Sequence, residues 1–187
     1  MAGVPRPHRL QLAGGVFHIT SRGNRRQEIF MDDADRELFL AILGEVVARY
    51  RWHCHAYCLM PNHYHLLIET PEENLSIGMH RLNFLYAVRF NFRHGLDGHL
   101  FQGRFHSVLV ESNYHLIELT RYIVVNPVRG GLCTHPLEWR WSSYRAALQK
   151  ARRPRFLTLD WLLAQFGDTS ERACAAYQSF VEAARPP

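Results

Sequence analysis

Apolar and polar positions along the chain alternate between two periods, and the switches mark out strands and helices. Gly15 to Arg22 (GVFHITSR) alternates residue by residue, as a half-buried strand does. A basic turn, Gly23 to Gln27, follows it. Asp32 and Asp33 offer caps for a helix over about Ala34 to Tyr50, where Phe39, Ile42, Val46 and Tyr50 recur near helical spacing. Two short strands are predicted at His53 to Met60 and His63 to Thr70, with Pro61-Asn62 as the turn between them. A second long helix fits Leu75 to Arg93, with Leu75, Met79, Leu82, Tyr86 and Phe90 on one side. A fourth strand fits Phe105 to Glu111. Ser112 then caps a helix through about Val125, which should end before Pro127 because the residue ahead of a proline disfavours the α region.

Strand, helix, strand, strand, helix, strand is the order of the split βαβ, ferredoxin-like fold. The expected class is α+β: an antiparallel sheet with helices on one face and the other face open to a ligand. To this are added the last helix, which carries Tyr122, and a helical C-terminal tail. Residues 1–131 read as one domain and residues 132–187 as an accessory tail packed on it. The tail holds a Trp-rich segment (EWRWSSYRAAL), an Arg/Pro-rich link and two short helical stretches. No internal repeat is present.

Composition narrows the classes. With 187 residues and 47% apolar content, one sizeable core can form. No run approaches the ~18 apolar residues of a membrane span. The segment MAGVPRPHRLQLAGG has no apolar stretch of the secretory type, so a cytoplasmic location is expected. The four cysteines form no paired CxxC knuckles and read as buried thiols. Net charge is +5 and the isoelectric point about 9.3. Lys150 is the only lysine, so the positive charge is guanidinium, which forks onto phosphates and stacks on bases.

The stretch AYCLMPNHYHLLIET carries the first candidate chemistry. His63 and His65 are two apart on a strand, so both imidazoles share a face while Tyr64 points away. Two neutral imidazoles and a third ligand leave a divalent cation open positions for water or a phosphate oxygen. His53 and His55 form a similar pair on the preceding strand, but nothing downstream completes it.

The stretch SNYHLIELTRYIVVNPVRGGL carries the second. His115, Glu118, Tyr122 and Asn126 form one helical stripe, while Leu116, Leu119 and Ile123 form the packing face. Tyr122 and Asn126 lie one turn apart, so one helix delivers a phenol and an amide oxygen to the same place. The helix C-terminus favours a nearby cation. A phenol with a pKa of about 10 is a weak nucleophile at neutral pH, so charge neutralisation at a phosphate and positioning must supply the rest. His115 and Glu118 stand on the right stripe to take its proton.

MPNHYHLL resembles the HUH motif (His, bulky residue, His). RYIVVNPVRGGL followed by WRWSSY resembles the tyrosine-helix region of the REP-associated tyrosine transposases, relatives of the short insertion-sequence transposases. The resemblance runs from about Gly14 to Ala147. It implies a ferredoxin-like nuclease fold and Mg²⁺- or Mn²⁺-dependent cleavage of single-stranded DNA, often near hairpins. It implies His63 and His65 as metal ligands, Asn126 as the third ligand and Tyr122 as a nucleophile that forms a 5′-phosphotyrosine. Simpler relatives can use Gln as third ligand, so Asn is a variation on the pattern. Relaxases share the metal motif but usually place the tyrosine ahead of it; here it follows, and no ATPase P-loop is present. Relatives include dimers with exchanged tyrosine helices, so a monomer or a homodimer is expected.

DNA contacts are expected from Arg22, Asn24, Arg25 and Arg26 after the first strand, from Arg104 before the fourth, and from Arg121 and Arg129 flanking the nucleophile. Phe101, Phe105 and Tyr114 are candidates for stacking on unpaired bases. Two other readings compete. One is a non-catalytic hairpin-binding regulator derived from a transposase. The other is a protein stabilised by zinc on His53, Cys54, His55 and Cys58.

Overall fold

A computed structural model describes residues 12–183. Residues 1–11, which hold most of the segment read as lacking a leader, lie outside them. Strand β1 is Gly15–Arg22, helix α1 Asp33–Tyr50, β2 His53–Met60, β3 His63–Thr70, α2 Leu75–His94, β4 His106–Leu109 and α3 Asn113–Arg129. The strands lie in the order β2-β3-β1-β4, every neighbouring pair antiparallel. This is the split βαβ sheet that the chain's periodicity predicts.

The alternation in β1 sorts the two faces. Phe17 and Ile19 are buried beneath α1 and α2 with Phe39, Ile42, Val46, Met79, Leu82 and Tyr86. Asp32 caps α1 by accepting from the Asp35 backbone N–H at 3.0 Å. Tyr64 of β3 is fully buried in this core. Its ring packs on Phe39 at 4.7 Å, and its hydroxyl donates to Asn83 Oδ1 of α2 at 2.5 Å. Tyr64 is therefore clamped by packing and a satisfied hydroxyl, and the histidines on either side of it are held to the opposite face.

That opposite face is only partly open. Helix α3 crosses it and buries Leu116, Leu119 and Ile123 against Ala56, Cys58, Met60 and Leu67. The helix also runs through Pro127 to Arg129 rather than stopping short. Proline removes a single donor, and the final turn is closed by Gly130 N–H to Asn126 O, Gly131 N–H to Val128 O and Leu132 N–H to Pro127 O, at 2.8, 3.0 and 2.9 Å. β4 is shorter than the apolar run suggests, because only His106–Leu109 pair with β1, while Phe105 tucks into the core.

The segment after α3 doubles back along β2, the edge strand of the sheet. Leu59 N–H donates to Trp141 O at 2.9 Å, Ser143 N–H to Tyr57 O at 3.0 Å, and Trp139 Nε1–H to Leu59 O at 3.0 Å. WRWSSY thus occupies an edge that would otherwise pair with another chain. The short helices α4 (Tyr144–Ala147) and α5 (Asp160–Ala164), and the longer α6 (Ser170–Glu182), add Tyr144, Leu162, Tyr177 and Val181 to the main core. Among the described residues, no helix is long and apolar enough to cross a membrane.

Candidate active site

Strands β1 and β3 and helix α3 meet on the half-open face. His63 and His65 project there together, ring centroids 5.1 Å apart. Thr20 lies opposite His65 in the register. From β1 comes a third imidazole: the His18 ring lies beside that of His65, centroids 5.2 Å apart and planes 11° from parallel, its Nε2 3.0 Å from His65 Nδ1. Tyr122 stands edge-on to both rings, 5.7 Å from His65 and 5.9 Å from His18. Phenol and histidines meet within one chain.

Hydrogen bonds orient the pair. Asn62 Nδ2 donates to Arg26 O at 3.1 Å, which turns Asn62 Oδ1 toward His63. His63 Nδ1 lies 2.7 Å from that oxygen, so it is the protonated nitrogen and Nε2 keeps its lone pair. His65 Nε2 is buried and has no hydrogen-bond partner. A buried nitrogen left unpaired beside a second imidazole with a free lone pair is a fit for a divalent cation. Among the described residues, no group of three His, Cys, Asp or Glu is arranged to hold a metal ion; a third ligand would come from an amide or solvent.

Burial keeps these imidazoles neutral. His18 falls to about 4, by burial and the fields of His106 and His115; His63 falls to about 4, by burial and Arg22. His65 falls to about 3, by burial and then by His18, His63 and Arg22. Depressed values for bases mean the unfolded chain binds more protons below about pH 6.5, so folding stability declines as pH drops from there toward 4. At pH 5 the linkage is of the order of 2 kcal/mol for each of the two most buried imidazoles. A Tm several degrees lower at pH 5 than at pH 7.5 is expected in thermal melts, and a cation held by these imidazoles should raise Tm at both, because the folded-state imidazoles are still neutral at pH 5. A Tm flat between those values would show that the imidazoles are not buried neutral.

Tyr122 is 37% exposed and forms the wall between two hollows. One, of about 440 Å³, holds Arg22, His63, His65, Arg104 and His106; the other, of about 460 Å³, holds His115, Glu118, Arg121 and Arg129. The Arg129 guanidinium lies over the Tyr122 ring at 5.2 Å. Asn126 sits one turn on, its Nδ2 donating to Tyr122 O at 2.8 Å. It does not line the histidine hollow. Glu118 is paired with Arg121, leaving His115 as the less committed group on the stripe.

The expected DNA-contact residues divide. Gln102 N–H donates to Arg22 O at 3.0 Å and Asn24 N–H to Leu100 O at 2.8 Å, so two loops distant in sequence bring Arg22 and Arg104 to one mouth. Arg25 and Arg26 are exposed in a turn with positive φ. Arg121 instead ties α3 to α6, its guanidinium 4.4 Å above the Phe180 ring. Phe105 is buried, whereas Tyr114 is 76% exposed.

The structure separates the zinc candidates. His55 is buried against Thr158 O (3.3 Å) and Glu69 Oε2 (3.0 Å). Cys54 and Cys58 lie in different cores. Burial raises both thiols, Cys54 to about 12. His18 was missed by sequence reasoning. The signal was present: it lies on the polar face of β1, the strand that the split βαβ order sets beside β3.

An antiparallel split βαβ sheet thus carries a histidine pair on one strand, with a tyrosine-bearing helix laid over it. The chain belongs to the IS200-like transposase family, whose profile matches residues 13–126. A Haemophilus influenzae protein described as a REP-associated tyrosine transposase is 24% identical over 159 residues, covering 79% of this chain and 88% of that protein. The fold matches that of a REP-associated tyrosine transposase solved with a REP hairpin, at TM-score 0.67 and 19% identity, over 90% of this chain and 97% of the other. A transposase structure from Deinococcus radiodurans R1 matches at TM-score 0.45 and 20% identity, over 65% of this chain and 95% of the other.

Proposed function

We propose that this chain cuts and rejoins single-stranded DNA at hairpin-associated sites, with Tyr122 as the nucleophile. The observation that carries the reading is the Tyr122 ring edge-on to His65 at 5.7 Å, beside a buried His65 Nε2 that has no partner. Tyr122 Oη attacks the phosphorus, the bond from phosphorus to O3′ breaks, the phenol gives up its proton, and the departing O3′ takes one. The product is a 5′-phosphotyrosine and a free 3′-hydroxyl. The linkage conserves the ester bond, so another 3′-hydroxyl can reverse the step and rejoin.

His63 and His65 would hold the cation, Mg²⁺ or Mn²⁺, with the Asn126 carbonyl oxygen as third ligand once its amide swings from the helix. When bound, it neutralises phosphate charge and polarises phosphorus. Arg129, over the Tyr122 ring, is placed to pair with the same phosphate. Arg22 and Arg104 at the mouth, with Asn24, Arg25 and Arg26 beyond them, follow the backbone of the strand. Arg121 acts chiefly by holding the helix. Because every group comes from one chain, a monomer can make a cut; a homodimer would supply two sites. We place the enzyme at the nucleoid, where its substrate is. The hairpin in the structure similar to this fold supports a hairpin as the preferred DNA.

The test is covalent. Incubated with Mn²⁺ and a single-stranded hairpin oligonucleotide, the protein should form an adduct that survives denaturing electrophoresis. Tight hairpin binding with no adduct under Mg²⁺ or Mn²⁺ would favour a non-catalytic regulator. Binding should weaken with salt, log K against log [salt] being linear, and Arg22→Ala or Arg104→Ala should each flatten the slope by about 1. Unchanged slopes would remove those arginines from the DNA path.

A further inference from the structure

We infer that His18 is a positioning residue that holds His65 in the tautomer and ring plane a cation ligand needs. The inference rests on the proposed reading of His65 as a ligand. His18 Nε2 and His65 Nδ1 are 3.0 Å apart, and their rings are nearly parallel. A single proton lies between the two nitrogens. If His18 owned it, His65 would carry its own proton on Nε2, a buried donor with no acceptor. Such a donor is costly. If His65 Nδ1 owns it, His18 accepts and His65 Nε2 presents a bare lone pair. The second arrangement leaves no donor stranded, and it is the one that can bind a cation.

The fold places His18 for this role. β1 pairs with β3 so that Thr20 opposes His65 and His18 opposes Leu67. His18 is thus the diagonal neighbour of His65 on one face, a spacing that long side chains bridge. The nearly parallel ring planes add orientation to the hydrogen bond: the plane of His65 is fixed by His18 on one side and by the edge of Tyr122 on another. His63 is oriented separately, through Asn62. Each imidazole of the pair therefore has its own acceptor at Nδ1, one an amide oxygen and the other a third histidine. This symmetry of roles is invisible in the HxH string itself.

The experiment uses the full chain and two readouts besides catalysis. In the metal-free protein, long-range ¹H–¹⁵N correlation spectra should show His65 protonated at Nδ1. His18→Phe keeps an aromatic ring and removes the acceptor; the His65 proton should move to Nε2, and Mn²⁺ affinity measured by titration should fall about 10- to 100-fold. His18→Gln, whose side-chain oxygen can accept in place of Nε2, should recover most of that affinity. Thermal melts should show both variants folded. A wild-type His65 protonated at Nε2, or a folded His18→Phe that keeps both the Nδ1 tautomer and wild-type affinity, overturns the inference. Mn²⁺ affinity that His65→Ala leaves unchanged removes the ligand reading and, with it, this inference.

Discussion

Tyr122→Phe is expected to abolish the covalent protein–DNA adduct while leaving hairpin affinity within about threefold of wild type. The substitution deletes one oxygen and nothing else. The ring contacts with His65, His18 and Arg129 depend on the ring, not the hydroxyl, and should persist. The side chain is 37% exposed, so little packing is at stake and Tm should shift by about a degree or less. Chemistry is another matter, because without Oη there is no bond to phosphorus. Tyr114 is 76% exposed at the start of the same helix, and Tyr64 is buried in the core with its ring on Phe39 and its hydroxyl on Asn83. An adduct that persists in Tyr122→Phe, mapped to another residue by peptide mass, would falsify the nucleophile assignment.

His63→Ala and His65→Ala should each lower the cleavage rate by about 10²- to 10⁴-fold, the range that several kcal/mol of charge stabilisation at phosphorus implies. Binding of the hairpin should hardly change, since the imidazoles are neutral and the phosphate contacts are proposed to come from the arginines. The pair is informative together. His65 also packs on Tyr122, so His65→Ala would remove both the proposed ligand and a support for the proposed nucleophile. The His63 ring stands edge-on to His65, whereas Tyr122 meets His65 and His18. If cleavage falls in His65→Ala alone, the loss comes from the displaced phenol; if it falls in both, along with Mn²⁺ affinity, the loss is that of the cation. Single-turnover cleavage across a Mn²⁺ series separates these outcomes.

Much of the architecture was legible before any coordinates. β1, β2 and β3 begin and end where alternation and turn residues place them. α1 and α2 follow their apolar stripes to within a residue or so, because a core that must be filled leaves a periodic trace. Less legible were the ends set by unusual closure. Pro127 read as a stop, yet the helix runs on to Arg129 and the NPVRGGL segment closes the carbonyls of its last turn. The Trp-rich segment read as tail packing; that it seals the β2 edge through backbone bonds has no periodic signature.

The chain by itself determined the order of elements, the shared face of His63 and His65, and the stripe that joins Tyr122 to Asn126. These depend only on the periods of strand and helix, which local sequence sets. The tertiary structure decided which groups from different segments meet. It brought His18 against His65 by strand pairing, joined Arg22 to Arg104 through two loops, and laid Arg121 over the Phe180 ring of α6. Contacts between distant segments arise from register and packing of whole elements, and no local pattern encodes them.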